Sequence, residues 1–207
     1  QARVINSQIC YSEKSCFEIY DLFLTRYRMH VQVYRHPVVQ AFELMHLQML
    51  SHIVKSRQEW LSMLKYPHEF NKYCHDGIFL MLHNWDGDNP NHVFSRRIEE
   101  RQHYKFLGEF INPRQNTRDL LKTRFHDLVS HILIKEVTLG YKEDPVQKVL
   151  FYDHQDPDKS FYLQSNKISQ LLPTNFHETR TRWWYTGVDQ NMYKKCKDAF
   201  EKIKSVI

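Results

Sequence analysis

The chain has 207 residues, 42% of them hydrophobic and 14% aromatic, enough to bury a core and too many for intrinsic disorder. No apolar run approaches the roughly 18 residues that span a bilayer, and residues 1 to 15 lack the apolar stretch of a signal peptide, so a soluble chain is expected, with no membrane partner. The net charge of +5 suits a phosphate-bearing partner without requiring one.

The sequence opens on Gln1 instead of Met, which reads as a piece of a longer protein. Cys10, Cys16, Cys74 and Cys196 form neither a CxxC pair nor a zinc spacing. Buried free thiols in a reducing compartment, nuclear or cytoplasmic, are therefore expected. No internal repeat or low-complexity stretch is present.

The stretch from Lys14 to Arg35 has no Gly or Pro, and Phe17, Tyr20, Phe23, Leu24 and Tyr27 recur at helical spacing. Pro37 fits the first turn of a second helix, with Val38, Phe42, Met45, Met49 and Ile53 on one stripe out to about Leu64. Pro67 is read as opening a third helix through Phe79 and Leu82. Trp85 to Asn91 has loop chemistry, and a charged helix containing Ser95 to Arg101 follows.

The alternation from Tyr104 to Phe110 predicts a strand. Asn116 or Thr117 can cap a helix running to about Leu128. Short strands are expected over Ile132–Thr138, Val146–Asp153, Phe161–Gln164 and Thr181–Thr186. Val188-Asp189 reads as the capped entry to a last helix with Ala199, Phe200 and Ile203 inward. The fold class is therefore α+β, mainly α: a helical region over 1–111 and a small α+β C-terminal lobe over 112–207.

On the first helix, Arg26, His30 and Tyr34 stand four residues apart and share a face. Arg offers a planar fork for phosphate oxygens, His a further donor, and Tyr a flat face for a sugar or base. The same spacing also suits a plain solvated stripe. His75-Asp76 and His126-Asp127 are the two His-Asp pairs, and each reads as surface or capping residues, because a metal needs several convergent ligands.

Several blocks in order resemble the SAM-and-HD-domain dNTP triphosphohydrolase family, in the part that lies after its HD metal site. They are Ile9-Cys10; Tyr20-Asp21 with Phe23, Thr25-Arg26, His30, Tyr34 and His36; and Arg97-Ile98-Glu99 through Arg101, Lys105 and Gly108-Glu109. Asp144-Pro145 with Val149 to Tyr152, and Ser169 to Pro173 with Phe176, complete them.

The resemblance implies that the helical first half belongs to a multihelical HD-type domain. It also implies hydrolysis of a dNTP to deoxynucleoside and triphosphate. The divalent metal (Mg, Mn, Fe or Zn) would be held by an upstream H…HD…D set. No metal is expected on this segment, which alone is expected to be inactive. Arg26, His30, Tyr34 and Arg35 would meet substrate. Tyr34 would pack on the deoxyribose, where a 2′-hydroxyl would clash.

Lys14, His36, Val38, Arg101 and Lys105 are implied as contacts to GTP or dNTP effectors in a homo-oligomer, a dimer or tetramer. Several positions depart from the family. Ser12, Pro37 and His154 stand where a cation is expected, Glu18 where an Asn is, and Arg35 where a Gln is. Loss of cations and gain of a carboxylate predict nucleotide activation that is weakened, altered or absent. Two other readings remain at the level of sequence. One is an inactive scaffold or regulatory subunit of the same fold. The other is a single-stranded nucleic-acid binder using Arg180, Arg182, Trp183, Trp184 and Tyr185 as a stacking strand.

Overall fold

The structure, a computed structural model, describes residues 1–53, 58, 61–62, 65–68, 90–164, 173 and 175–207. The expected third helix beyond residue 68, Cys74, His75-Asp76, the loop at 85–89 and the block 169–172 lie outside the described residues. The elements are strands β1 (Ala2–Ile5) and β2 (Gln8–Ser12), helix α1 (Cys16–Met29), a π-helical turn (His30–Tyr34), α2 (Pro37–Ile53), α3 (Pro90–Glu99), β3 (Lys105–Ile111), α4 (Thr117–Arg124), β4 (Ile132–Gly140), β5 (Leu150–Tyr152), β6 (Ser160–Tyr162), β7 (His177–Tyr185) and α5 (Gln190–Lys204). Short 3-10 turns lie at Glu13–Ser15, His126–His131 and Pro145–Lys148. The fold is α+β and mainly helical, as expected. Among the described residues no helix is long and apolar enough to cross a membrane.

The chain divides into two compact units, each assembled from separated segments: 1–36, 109–116 and 135–182 in one, and 37–108, 117–134 and 183–207 in the other. A four-stranded sheet runs β1-β2-β5-β6, and a three-stranded sheet runs β3-β7-β4.

In the first unit, β1 and β2 form an antiparallel hairpin with Ile5 opposite Gln8. Its two turn residues, Asn6 and Ser7, have φ of 51° and 61°, the left-handed values that a tight two-residue hairpin turn demands. β2 pairs in parallel with β5, which pairs antiparallel with β6. This sheet carries Tyr11, Phe151 and Phe161 toward α1, where Cys16 and Ile19 complete a core with Val146 and Leu163. Asp144 fixes the loop before β5: its Oδ1 accepts the Val146 N–H at 2.9 Å and its Oδ2 the Tyr20 hydroxyl at 2.5 Å.

In the second unit, α2 buries Ala41, Leu44 and Met45 against Tyr104 and Trp184. The buried face of α2 is thus centred on Ala41, Leu44, Met45 and Met49, and Val38 of the expected stripe is turned outward. The Trp184 indole N–H donates to the Pro37 carbonyl at 3.2 Å, and the Trp183 indole N–H to Thr117 Oγ1 at 3.4 Å. Pro90 and Asn91, read from sequence as loop, already belong to α3, where Pro sits at the first helical position that needs no N–H. α5 starts on Asp189, whose carboxylate accepts the N–H groups of Asn191 and Met192, and it buries Cys196, Ala199, Phe200 and Ile203.

Candidate functional site

Arg26 lies on α1 in the first unit, and His30 and Tyr34 on the turn that follows it, where the helical pitch changes. Residues Cys16 to Met29 wind as an ordinary α-helix. The five residues His30–Tyr34 then widen to a π-turn, closed by the Arg35 N–H donating to the His30 carbonyl at 2.8 Å. Such widened turns occur frequently at functional sites because they redirect side chains that a regular helix would carry past their target. Here the His30 and Tyr34 rings meet edge to face with centroids 5.2 Å apart. Tyr34 is 54% exposed, so its ring has a face available to a ligand. Arg26 is exposed and lies one turn before His30. Its guanidinium reaches the Tyr141 hydroxyl, whose pKa burial raises and Arg26 pulls partly back.

Beside these residues runs a chain of ion pairs. The Tyr27 hydroxyl donates to Glu178 Oε1 at 2.8 Å. The Arg180 guanidinium joins Glu178 at 2.6 Å and Glu109 Oε1 at 2.8 Å. Glu109 Oε2 accepts the Arg182 Nε–H at 2.7 Å, and Arg182 donates onward to the Arg35 carbonyl. Arg182 is 1% exposed. A buried guanidinium is tolerated only where it is paired and its donors are used, and the second carboxylate oxygen of Glu109 meets that demand. Burial raises the Tyr27 hydroxyl pKa, and the bond to Glu178 raises it further. For Arg180 burial pulls the pKa down, but Glu178 and Glu109 more than offset it.

Next to Tyr27 and Glu178 of this series lies a cavity of about 550 Å³. Phe17, Tyr20, Phe23, Leu24 and Tyr27 form one wall, and Gly140, Tyr141 and Phe176 are on the other, with the Asp21 and Glu178 carboxylates at its edge. The residues that recur at helical spacing on α1 therefore line a hollow: Phe17 stays 59% exposed and Leu24 42%. Phe23 and Tyr141 meet edge to face at 5.3 Å.

The other singled-out residues are distributed as follows. Lys14 and His36 are exposed in the first unit, and Arg35 is half-buried. In the second unit Val38 and Arg101 are exposed, and the Lys105 ammonium lies 5.3 Å from the Tyr193 ring centroid. Of the departing positions, Ser12 is buried at the end of β2 and its N–H donates to the Gln1 carbonyl at 2.9 Å. Glu18 and His154 are exposed, and Pro37 opens α2. Trp183, Trp184 and Tyr185 are buried, so their faces are taken by the protein and this strand offers no platform for stacking bases.

His126 and Asp127 are an exposed pair 3.9 Å apart. Among the described residues no three His, Cys, Asp or Glu side chains are grouped to hold a metal ion. Cys10, Cys16 and Cys196 are free and buried. What sequence reading missed was the pairing of Arg180 and Arg182 with Glu109. Its only signal is an isolated Glu in one strand and alternate arginines in another some 70 residues away.

No family model matches the chain. It is 30% identical over 199 residues to the deoxynucleoside triphosphate triphosphohydrolase SAMHD1 homolog of Dictyostelium discoideum, covering 87% of this chain and 37% of that protein. It is 25% identical to deoxynucleoside triphosphate triphosphohydrolase SAMHD1 of Gallus gallus over 224 residues, which is 93% of this chain and 36% of that one. The chain therefore spans little more than a third of the curated relatives it matches. Among solved structures, a hypothetical protein from Aquifex aeolicus matches with a TM-score of 0.65 and 16% identity, over 96% of this chain and 49% of that one, which shows a shared fold.

Proposed function

The chain belongs to the SAMHD1-like family of HD proteins, and we propose that it is the part of a dNTP triphosphohydrolase that grips the substrate and carries the effector contacts. The observation that carries this reading is the set Arg26, His30 and Tyr34, with Arg26 and Tyr34 exposed and His30 and Tyr34 on the π-turn, in a chain related over 87% of its length to such an enzyme. Arg26 would hold the triphosphate tail, His30 would add a donor beside it, and Tyr34 would stack on the deoxyribose so that a 2′-hydroxyl clashes. Arg35 would flank the sugar or base.

The reaction is proposed for the whole protein, in which residues 1–111 complete an HD-type catalytic domain and 112–207 form the small C-terminal lobe. The divalent metal (Mg, Mn, Fe or Zn) would be held by an upstream half, where it would supply a polarised water and charge neutralisation. The described residues do not fit that role, so this segment alone would be inactive.

Lys14, His36, Val38, Arg101 and Lys105 would contact GTP or dNTP effectors in a homo-oligomer. Ser12 supports a change in that regulation: it is buried, too short and too enclosed to stand in for an Arg toward a triphosphate. With Glu18, Pro37 and His154 also altered, activation by nucleotide would be weak or absent. The protein would act in the nucleus or cytoplasm.

The test is release of triphosphate from dNTPs by the longest natural form of the protein, with Mg²⁺ or Mn²⁺, with and without GTP. Release that is independent of GTP is the expected result. Release strictly dependent on GTP would overturn the regulatory reading, and no release under any condition would leave a scaffold role for the fold.

A further inference from the structure

Five side chains link the two ends of the segment that bears the candidate site. The series starts at Tyr27, one residue after Arg26, passes through Glu178, Arg180, Glu109 and Arg182, and ends on the carbonyl of Arg35, one residue after Tyr34. The segment that contains the π-turn is thus tied at both ends to β7 residues of the same unit, and Glu109 of β3 joins the two β7 arginines.

The terms of this linkage are unequal. A π-turn spends its hydrogen bonds on a wider ring than an α-helix does, and it occurs mostly as a single turn inside a helix. The last carbonyls of any helix also lack intrahelical partners. Arg182 meets that need at Arg35 with a charged donor, the strong kind of hydrogen bond. It can do so only because Glu109 neutralises it, since the guanidinium is 1% exposed. Glu109 in turn spans both arginines, with one oxygen to Arg180 and the other to Arg182. Removing Glu109 would leave Arg182, 1% exposed, without this carboxylate, while Arg180 would keep Glu178. Such a fixed fork is a task for Arg and not Lys, whose single ammonium cannot address a carboxylate and a carbonyl in two set directions.

We propose that the buried Arg182–Glu109 pair is a positioning device that holds the π-turn of His30–Tyr34 in place and thereby sets the angle at which Tyr34 meets a deoxyribose. Arg182 touches no substrate in this scheme and acts through the Arg35 carbonyl. The last clause rests on the proposed nucleotide site, whereas the mechanical part does not.

The experiment uses the full-length protein and two readouts. Amide hydrogen exchange followed by mass spectrometry reads the turn itself. Equilibrium binding of dATP and of ATP reads the preference for the deoxy sugar. In Arg182→Lys, exchange of the amides in residues 33–36 is expected to rise about tenfold, the effect of losing one charge-assisted hydrogen bond, with α1 residues 20–25 unchanged. The dATP-over-ATP preference is expected to fall by about the same factor.

Should that variant not fold, Tyr27→Phe removes a single hydroxyl at the other end of the series. It is expected to give about a threefold change in both readouts, as one neutral donor contributes less. Wild-type exchange at 33–36 in whichever variant folds overturns the proposal. So does faster exchange with an unchanged sugar preference, provided Tyr34→Ala loses that preference. If Tyr34→Ala keeps the preference, or the protein binds neither nucleotide, the nucleotide site is what fails, and the exchange result alone decides whether Arg182 holds the turn.

Discussion

The Gln102 N–H donates to the Arg97 carbonyl at 2.7 Å, and the Arg101 N–H between them donates to the Ile98 carbonyl at 3.1 Å. This pair of bonds closes α3 in the manner of a helix end that usually carries glycine. Arg101 occupies the glycine position, with φ of 56°. A left-handed conformation costs an ordinary residue roughly 1–2 kcal/mol, part of which glycine gives back as unfolded-chain entropy. In the proposed reading, Arg101 meets an effector from this strained, exposed helix end. Arg101→Gly is therefore expected to raise the stability by about 0.5–1 kcal/mol, seen as a higher denaturant midpoint. In the same variant any stimulation by GTP should weaken. A lower midpoint would show that the Arg side chain itself supports the fold.

Gly140 ends β4 with φ of 96° beside the Phe176 carbonyl, which accepts the Tyr141 N–H at 2.7 Å. A Cβ on Gly140 would lie 2.1 Å from that carbonyl oxygen, a backbone atom that cannot swing aside. Gly140→Ala combines an unfavourable φ with this clash, so a loss of about 2–4 kcal/mol is expected, by analogy with other strained-backbone substitutions. Thermal unfolding of the variant checks it. The wall of the cavity opposite Phe23 should also shift, which a change in the Tyr141 environment by fluorescence or NMR would report.

Arg26→Ala in the complete protein separates substrate binding from folding. Arg26 is exposed, so its loss should leave stability within about 0.5 kcal/mol. If its guanidinium holds a triphosphate, binding or turnover should fall by about 2 kcal/mol or more, some thirtyfold. Unchanged turnover would remove Arg26 from the site.

These residues differ in how far sequence could reveal them. The last helix was legible because Asp189 is a strong N-cap and Ala199, Phe200 and Ile203 keep the helical period, two local signals that agree. The strand β3 was legible from alternation, and β4 and β7 were expected as short strands, although β7 begins four residues earlier than Thr181, where charged residues dominate. The β1–β2 hairpin was not seen. Asn6-Ser7 lacks the glycine that usually marks such a turn, and β1 is exposed but for Ile5 while β2 begins with two exposed residues, so no apolar alternation stands out. The π-turn has no signature in composition at all. It depends on the Arg35 carbonyl finding Arg182, 147 residues later, and no local pattern reports a partner at that distance. For the same reason Arg180 and Arg182 were readable as cations on a strand but not as members of an ion series.

Cys196 gives the protein an alkaline limit. Its thiol is buried in α5, and burial pushes its pKa up from the ordinary 9.0 to about 11. Because the folded state favours the protonated thiol, the contribution of this group is fully present below about pH 9 and is lost as pH rises through about 11. Burial also raises the pKa of Tyr27, Tyr104, Tyr141 and Tyr185, but their ordinary value is 10.0, so they add to the loss only at higher pH. Burial raises the Cys16 thiol from the same ordinary value of 9.0 as well, so the interval between about pH 9 and 10 reports the two thiols, and comparison with Cys196→Ala separates them. There, Cys196 should contribute a fall of up to ~1.4 kcal/mol per pH unit, the limit for one proton. Cys196→Ala should be less stable at neutral pH, because it opens a small hole beside Ala199 and Phe200, yet its stability should change less steeply over that interval. Urea midpoints measured in half-unit steps of pH decide the matter: parallel curves for the two proteins would mean that Cys196 ionises no differently in the folded and unfolded chains.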